Sequence, residues 1–214
     1  MKEKLSLFER ISVRVLDAAW GAYAGYSTIY LEELCRTYGL SAMTKLLGEM
    51  GKATDVLAKQ HGDVAAQTIV GMAGTWNGCR FCGAGHLLAA NLLYYRETSE
   101  LFPIDERDVL AMEMMTFEQL RSWLAERLDS QPRTRPVGRL VDRLLDLQMG
   151  DARVANDDDA MLKRALDLWT ITNMCSTTVT FDLDVDVVPA LATVGKDKKL
   201  LKRYRAARAE HETQ

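Results

Sequence analysis

The sequence has no excess of positive charge. Its 214 residues include 27 lysines and arginines against 30 aspartates and glutamates, which gives a formal net charge of -3. A protein whose main partner is nucleic acid usually carries a basic excess, gathered on one face or along one helix. The composition therefore argues against nucleic acid as a partner and favours small molecules or proteins.

The sequence also lacks a long apolar run. Residues 1–10 mix charges of both signs and do not contain the apolar stretch that a secretory signal requires. Residues 64–95 form the longest charge-poor stretch, in which Arg80 is the only lysine, arginine or acidic residue. Their glutamine, threonine, asparagine and histidine side chains make this stretch too polar to face lipid. We therefore expect neither export nor membrane insertion, and we predict a cytoplasmic protein.

Strand signals are scarce, and apolar residues recur at spacings of three and four residues through nearly every segment. This periodicity predicts an all-α fold, and the 48% hydrophobic content predicts one helical domain over residues 1–214. The core that carries a redox motif is expected at about residues 62–98, and a basic terminal helix at about residues 196–210. A first helical region is expected over 7–38, with a break near Gly21 or Gly25. Further helices are expected over 41–61, 64–76 and 79–98, and others should begin at Pro103, Thr116 and Asn156. Residues 130–136 are expected to form an exposed connector.

Two of the four cysteines, Cys79 and Cys82, form a close pair. Cysteines of a chain without an export signal are normally reduced, so such a pair is expected to be catalytic or metal-binding. Helical offsets of three and seven residues place Cys79, Cys82 and His86 on one face. The start of the helix is expected to favour thiolate over thiol, with His86 accepting a proton or stabilising the anion. The second thiol can then convert a sulfenic acid or mixed disulfide on the first into a disulfide.

The sequence around this pair resembles a known signature. The matching residues are Asn77, Gly78, Cys79, Arg80, Phe81, Cys82, Gly83, Ala84, Gly85 and His86. This stretch is similar to the motif of the alkylhydroperoxidase D-like (AhpD-like) branch of the carboxymuconolactone decarboxylase superfamily, and the resemblance extends to the flanking helices. It implies a multi-helix bundle that assembles into a homo-oligomer, a trimer or a multiple of it. It also implies that Cys82 attacks the peroxide, that Cys79 resolves the product and that His86 belongs to the proton relay.

One position departs from the family pattern. The relay of that family includes a glutamate twelve residues before the first cysteine, where this chain has Gln67. An amide side chain forms hydrogen bonds but does not take up a proton at ordinary pH. The relay then requires another base, for which Asp63, one turn earlier, or a water molecule is a candidate. The decarboxylase branch of the superfamily, which does not depend on the cysteine pair, is a poorer match.

These observations lead to two functional hypotheses. The first is a thiol-dependent peroxidase or disulfide oxidoreductase that cycles Cys79 and Cys82 between dithiol and disulfide, with His86 and Gln67 at the site. It needs a peroxide or other small oxidant and a cellular dithiol reductant, but no organic cofactor and no metal. The second is a non-catalytic protein that binds a small ligand or a partner and keeps the thiols as a redox switch. A structural zinc site would need a fourth ligand beside the pair and His86, from Cys35, Cys175 or His61.

Overall fold

The computed structural model describes residues 4–180 and 183–213, apart from the side chains of residues 179 and 180. Within these ranges the chain is helical and contains no strand, which confirms the all-α prediction. The ten α-helices are α1 (Leu7–Ala24), α2 (Leu31–Tyr38), α3 (Leu40–His61), α4 (Asp63–Trp76), α5 (Arg80–Thr98), α6 (Asp108–Met112), α7 (Phe117–Leu128), α8 (Arg135–Met149), α9 (Asp157–Thr180) and α10 (Lys198–Glu212).

Several of the expected boundaries are confirmed. Gly25 ends α1 in a left-handed conformation with a φ of 89°, at one of the two glycines where a break was predicted. The connector before α8 lies close to its expected place, and Pro136 stands in the first turn of that helix, where its missing N–H costs no hydrogen bond. The basic terminal helix, α10, begins at Lys198. No helix among the described residues is both long and apolar enough to cross a membrane.

The helix expected from Pro103 starts later, so that prediction is wrong by about one turn. The carboxylate of Asp108 accepts the N–H of Asp105, and the carboxylate of Asp105 accepts the N–H of Arg107. These side chains satisfy the backbone donors in a turn, which is the usual way in which aspartate competes with helix formation. The helical hydrogen bonds of α6 therefore begin only at Asp108.

The centre of the fold is the hairpin formed by α4 and α5. In both helices most residues are buried, because other helices cover the hairpin on several sides. The helices α3, α8 and α9 pack against α4, while α10 packs against α5. A smaller apolar cluster joins α5 to α10 through Leu92 and Tyr95 on one side and Leu200 and Tyr204 on the other. The thiol motif therefore begins at one end of the most enclosed part of the molecule.

Two glycines allow α4 and α5 to approach closely. A Cβ atom on Gly74 of α4 would lie 2.8 Å from both the Cβ of Cys82 and the backbone nitrogen of Gly83. A Cβ atom on Gly83 would lie 2.5 Å from the Oγ1 of Thr75. A side chain at Gly74 would require the helix backbones to separate, and one at Gly83 would require the Thr75 hydroxyl to move. The position of Cys82 beside α4 therefore depends on the absence of side chains at these two positions.

We expect the substitution Gly74→Ala to lower the free energy of unfolding by about 1–3 kcal/mol, because the new methyl group meets backbone atoms that cannot move independently. Gly48→Ala is the matched control, since a Cβ there meets nothing within 4 Å on the exposed side of α3. The control should stabilise the protein by about 0.5–1 kcal/mol. Urea denaturation of both variants measures the difference, and equal stability of the Gly74 variant and the wild type would contradict the close packing.

Candidate thiol site

A tight turn after α4 sets the position of the thiol pair. Gly78 has a φ of 74°, a conformation that side chains disfavour, as the predicted Asn-Gly turn requires. The N–H of Cys79 donates to the carbonyl of Gly74 at 2.9 Å, and the Asn77 side chain donates to the carbonyl of Ala73 at 2.7 Å. These bonds satisfy carbonyl groups at the end of α4 and turn the chain directly into α5. Cys79 therefore becomes the N-cap residue of α5.

The two cysteines meet at the first turn of α5. The Sγ of Cys79 accepts the backbone N–H of Cys82 at 3.2 Å, which is the bond that an N-cap side chain makes. No disulfide joins them. Cys79 is 0% and Cys82 is 2% exposed, so the pair lies beneath the surface. Any oxidant must be small, or the surrounding chain must open, before the sulfur atoms can react.

A serine on a distant helix lies between the two sulfur atoms. The Oγ of Ser176, on α9, donates to the Sγ of Cys79 at 2.8 Å. The same oxygen lies 3.7 Å from the Sγ of Cys82. Ser176 is itself 0% exposed. The site is therefore a buried dithiol with a hydroxyl group in contact with both members.

Burial works against ionisation of the second thiol. It raises the pKa of Cys82 well above its ordinary value, and the hydrogen bond and the charge of Cys79 raise it further. The prediction that the helix start would favour a thiolate is therefore wrong for Cys82. The loss of hydration on burial exceeds the stabilisation that the Ser176 and backbone hydrogen bonds provide, both of which lower the pKa. Negative charge on Cys82 is disfavoured while Cys79 holds charge nearby.

His86 forms a hydrogen bond with Gln67, as their positions on neighbouring helices allow. The Nδ1 of His86 and the Oε1 of Gln67 are 2.8 Å apart. An amide oxygen only accepts, so the Nδ1 carries the proton and the Nε2 keeps its lone pair. The ring meets Trp169 of α9 edge to face, with centroids 6.2 Å apart. Gln67 thus fixes which ring nitrogen of His86 can act as an acceptor.

Burial lowers the pKa of His86 to about 3. At neutral pH the imidazole is therefore uncharged, and it is a weak base. A glutamate in place of Gln67 would favour the charged ring, whereas the neutral amide supplies no compensating charge. Asp63, the alternative base suggested by the sequence, lies at the exposed start of α4. At the place of the expected proton relay the structure therefore has two neutral side chains, the amide of Gln67 and the imidazole of His86.

Ser176 is the residue that sequence reasoning missed. It belongs to a stripe of polar residues spaced by three on α9, in which Thr170 accepts from Asn77 at 3.2 Å and Asn173 donates to the carbonyl of Ala73 at 3.4 Å. The Oδ1 of Asn173 is buried and has no hydrogen-bond partner among the described residues. Such an acceptor suits a water molecule or a small hydroxylic ligand. The spacing of the stripe is a signal in the sequence, although nothing local connects it to the cysteines.

The structure does not gather the residues that a zinc site would require. Among the described residues, no group of three or more histidine, cysteine or acidic side chains is arranged to hold a metal ion. Cys35 is buried on α2, and His61 ends α3, where its Nε2 lies 3.8 Å from Asp158. The hypothesis that one of these residues completes a site with Cys79 and Cys82 therefore gains no support.

A separate cavity of about 510 Å³ opens at the other end of the hairpin. Its walls include His61, Asp63, Tyr94, Arg133 and Val137. The 14 residues of α4 separate Asp63 from the thiol turn, a length of about 20 Å. The volume lies within the range of small-ligand sites, but the cavity does not contain the thiols.

Comparisons with known protein families, with characterised proteins and with solved structures find no match for the chain.

The low pKa of His86 makes stability depend on pH. Between about pH 6.5 and pH 3 the unfolded chain binds a proton at this residue while the folded chain does not, so acid favours unfolding. We expect the wild type to lose stability relative to His86→Gln as the pH falls through this window. The slope of the difference should not exceed about 1.4 kcal/mol per pH unit.

Urea denaturation of the two proteins at pH 7.5, 5.5 and 4.5 measures this difference. Acid effects on the other residues occur in both proteins and cancel. A difference that stays constant with pH would show that His86 titrates normally in the folded state.

Proposed function

We propose that the chain is an AhpD-like thiol oxidoreductase that reduces a peroxide or another small oxidant through a Cys79–Cys82 dithiol–disulfide cycle. The observation that carries the proposal is the buried dithiol at the start of α5, whose two sulfur atoms both contact the Ser176 hydroxyl at 2.8 and 3.7 Å. Two purely structural cysteines need neither a shared hydroxyl group nor an N-cap position. The motif that resembles the AhpD-like signature coincides with this geometry.

The chemistry that we propose consists of two oxidation steps, followed by reduction of the disulfide. One thiolate attacks an oxygen of the peroxide, the O–O bond breaks, and the cysteine becomes a sulfenic acid while the departing oxygen leaves as water or an alcohol after protonation. The second thiol then displaces the sulfenic hydroxyl, which leaves as water, and the S–S bond forms. A cellular dithiol reduces this disulfide by exchange and is itself oxidised. Each turn consumes one peroxide and two reducing equivalents.

Burial of the thiols supports a small substrate. With exposures of 0% and 2%, the sulfur atoms of Cys79 and Cys82 are out of reach of a folded partner. The Oδ1 of Asn173, for which the described part of the chain supplies no hydrogen-bond donor, offers an acceptor to a donor such as the O–H of a hydroperoxide. Reduction by a dithiol then requires local opening around the disulfide. The four buried cysteines, which form no disulfide, also fit the reducing conditions of a cytoplasmic location.

We also propose that the protein assembles into a homo-oligomer, as the resemblance implies for trimers or their multiples. Helix α1 carries an apolar stripe of Leu7, Phe8, Ile11 and Val15, whose exposures are 66%, 71%, 53% and 61%. Large apolar side chains in such a row are usually covered by another surface. The cycle that we propose needs neither an organic cofactor nor a metal.

A second candidate function is supported by Gln67 and by the cavity beside Asp63. Without an ionisable group at position 67, the relay of a fast peroxidase is incomplete. The cavity of about 510 Å³ could hold a small ligand at the other end of the same hairpin. In that case the protein binds a ligand or a partner, and the thiols act as a redox switch.

Stopped-flow mixing of the reduced protein with hydrogen peroxide and with an organic hydroperoxide tests the proposal. We expect one equivalent of peroxide to yield one Cys79–Cys82 disulfide per chain, identified by mass spectrometry. Cys79→Ser and Cys82→Ser should each abolish the disulfide, because each removes one of its two sulfur atoms. Cys35→Ala is the matched control and should react like the wild type, since Cys35 is a buried thiol outside the motif.

The variant Gln67→Glu separates the two candidate functions. A carboxylate beside His86 should raise the histidine pKa and increase the rate of disulfide formation, because it favours a proton on the ring. A wild type that is inert while only this variant reacts would contradict peroxidase function and favour the ligand-binding protein. Formation of the disulfide at the same rate in both would show that the relay position does not limit the reaction.

A further inference from the structure

We infer that Ser176 is a positioning residue that makes Cys79, rather than Cys82, the thiol that carries negative charge and attacks first. The inference rests on the proposed function, because it assigns the order of events within that thiol pair. It reverses the order implied by the AhpD-like resemblance, in which Cys82 attacks and Cys79 resolves.

The hydrogen bonds at the two sulfur atoms differ in direction. The Sγ of Cys79 accepts the Ser176 hydroxyl at 2.8 Å and the Cys82 N–H at 3.2 Å. Two donors that point at one sulfur atom stabilise charge there, as does its place at the positive end of the α5 dipole. A hydroxyl group has one proton, so while Ser176 donates to Cys79 it can only accept from the thiol of Cys82, at 3.7 Å. The shorter contact means that Ser176 stabilises a thiolate at Cys79 more strongly than at Cys82, where its contact at 3.7 Å lowers the pKa by less than burial raises it.

The Ser176 hydroxyl also lies near a backbone acceptor on its own helix. The carbonyl of Asn173, one turn earlier on α9, lies 3.2 Å from the Ser176 oxygen. The contact with Cys79 is shorter, although sulfur is the larger atom, and it becomes charge-assisted when Cys79 ionises. The bond to sulfur is therefore preferred in the ionised state. In the neutral state the hydroxyl can rotate between the two acceptors without a change in the helix.

Other titratable groups around the thiols do not reverse this order. Burial raises the pKa of Tyr26 to about 12 and that of Tyr30 well above its ordinary value, and negative charge on Cys82 adds to both shifts. These phenols are therefore neutral where thiols titrate, and His86 is neutral as well. The guanidinium of Arg80 is held by the carboxylate of Glu113, with N–O distances of 2.9–3.1 Å.

The same geometry gives Ser176 a role in the second step. After Cys79 attacks the peroxide it carries a sulfenic hydroxyl, which must leave with a proton when the sulfur of Cys82 attacks. The thiol of Cys82 passes its proton to the Ser176 oxygen, and Ser176 passes its own proton to the departing hydroxyl, which leaves as water. The S–S bond forms as the S–O bond breaks, and the serine is regenerated. One hydroxyl group thus serves both steps because it contacts both sulfur atoms.

The order of ionisation can be tested without turnover. We expect ¹³Cβ chemical shifts of the reduced wild type to show that Cys79 titrates at lower pH than Cys82. In Ser176→Ala the Cys79 midpoint should rise by about one pH unit, since one charge-assisted donor is lost. Ser176→Thr should restore it, while Thr178→Ala is the matched control, because Thr178 bonds the Cys175 carbonyl at 2.7 Å on the same helix. An unchanged Cys79 midpoint in Ser176→Ala, or a lower midpoint for Cys82, would overturn the inference.

The order of attack is tested by trapping the sulfenic acid with dimedone. With hydrogen peroxide at pH 7, the adduct should form on Cys79 in Cys82→Ser at least about tenfold faster than on Cys82 in Cys79→Ser. Adding Ser176→Ala to the Cys82→Ser variant should slow adduct formation on Cys79 about tenfold at pH 7, because a rise of one unit in the thiol pKa lowers the thiolate fraction about tenfold. The rate should recover at higher pH. Faster trapping on Cys82 would overturn the inference.

These measurements separate the inference from the proposed function. A wild type inert to peroxides, with a Ser176-dependent titration of Cys79, would contradict the proposed function and leave the role of Ser176 in thiolate formation intact. A wild type that forms the disulfide rapidly, with the same titration in Ser176→Ala, would contradict the role of Ser176 and leave the function intact. Spectra of ¹⁵N-labelled variants establish that each one is folded.

Discussion

The close packing of α4 against α5 is the constraint on which the site depends. With no side chain on Gly74 or Gly83, the backbone of one helix lies directly against the first turn of the other. The short turn at Gly78 can therefore place Cys79 at the N-cap while its N–H still reaches the Gly74 carbonyl at 2.9 Å. The other helices then enclose this end of the hairpin. The thiols are buried because they lie where α5 packs closely against α4.

Burial determines the electrostatics of the site. A buried thiol or imidazole keeps its neutral form unless neighbouring groups replace the lost water, and the high pKa of Cys82 and the low pKa of His86 are two results of this rule. At Cys79 the replacement includes the Cys82 N–H and the Ser176 hydroxyl. Directed hydrogen bonds, rather than the helix dipole alone, therefore select the sulfur atom that carries charge.

The sequence allowed prediction of the features that depend on near neighbours. Helical periodicity identified an all-α chain, and the glycines and the Asn-Gly pair marked the ends of α1 and α4. The spacing of Cys79, Cys82 and His86 located the motif. Ser176 could not be predicted in the same way, because 97 residues separate it from Cys79 and only packing of α9 joins them. The effect of burial on Cys82 also depends on helices far along the chain, and the late start of α6 depends on two aspartates that favour a turn.

The redox state of Cys79 and Cys82 across a series of dithiothreitol buffers tests the redox role of the pair most directly. Acid quenching, alkylation and mass spectrometry would identify the bonded residues at each potential. We expect one reversible two-electron transition that joins Cys79 to Cys82, while Cys35 and Cys175 remain thiols. A protein that stays helical and retains four free thiols in the most oxidising buffer would contradict a redox role for the pair.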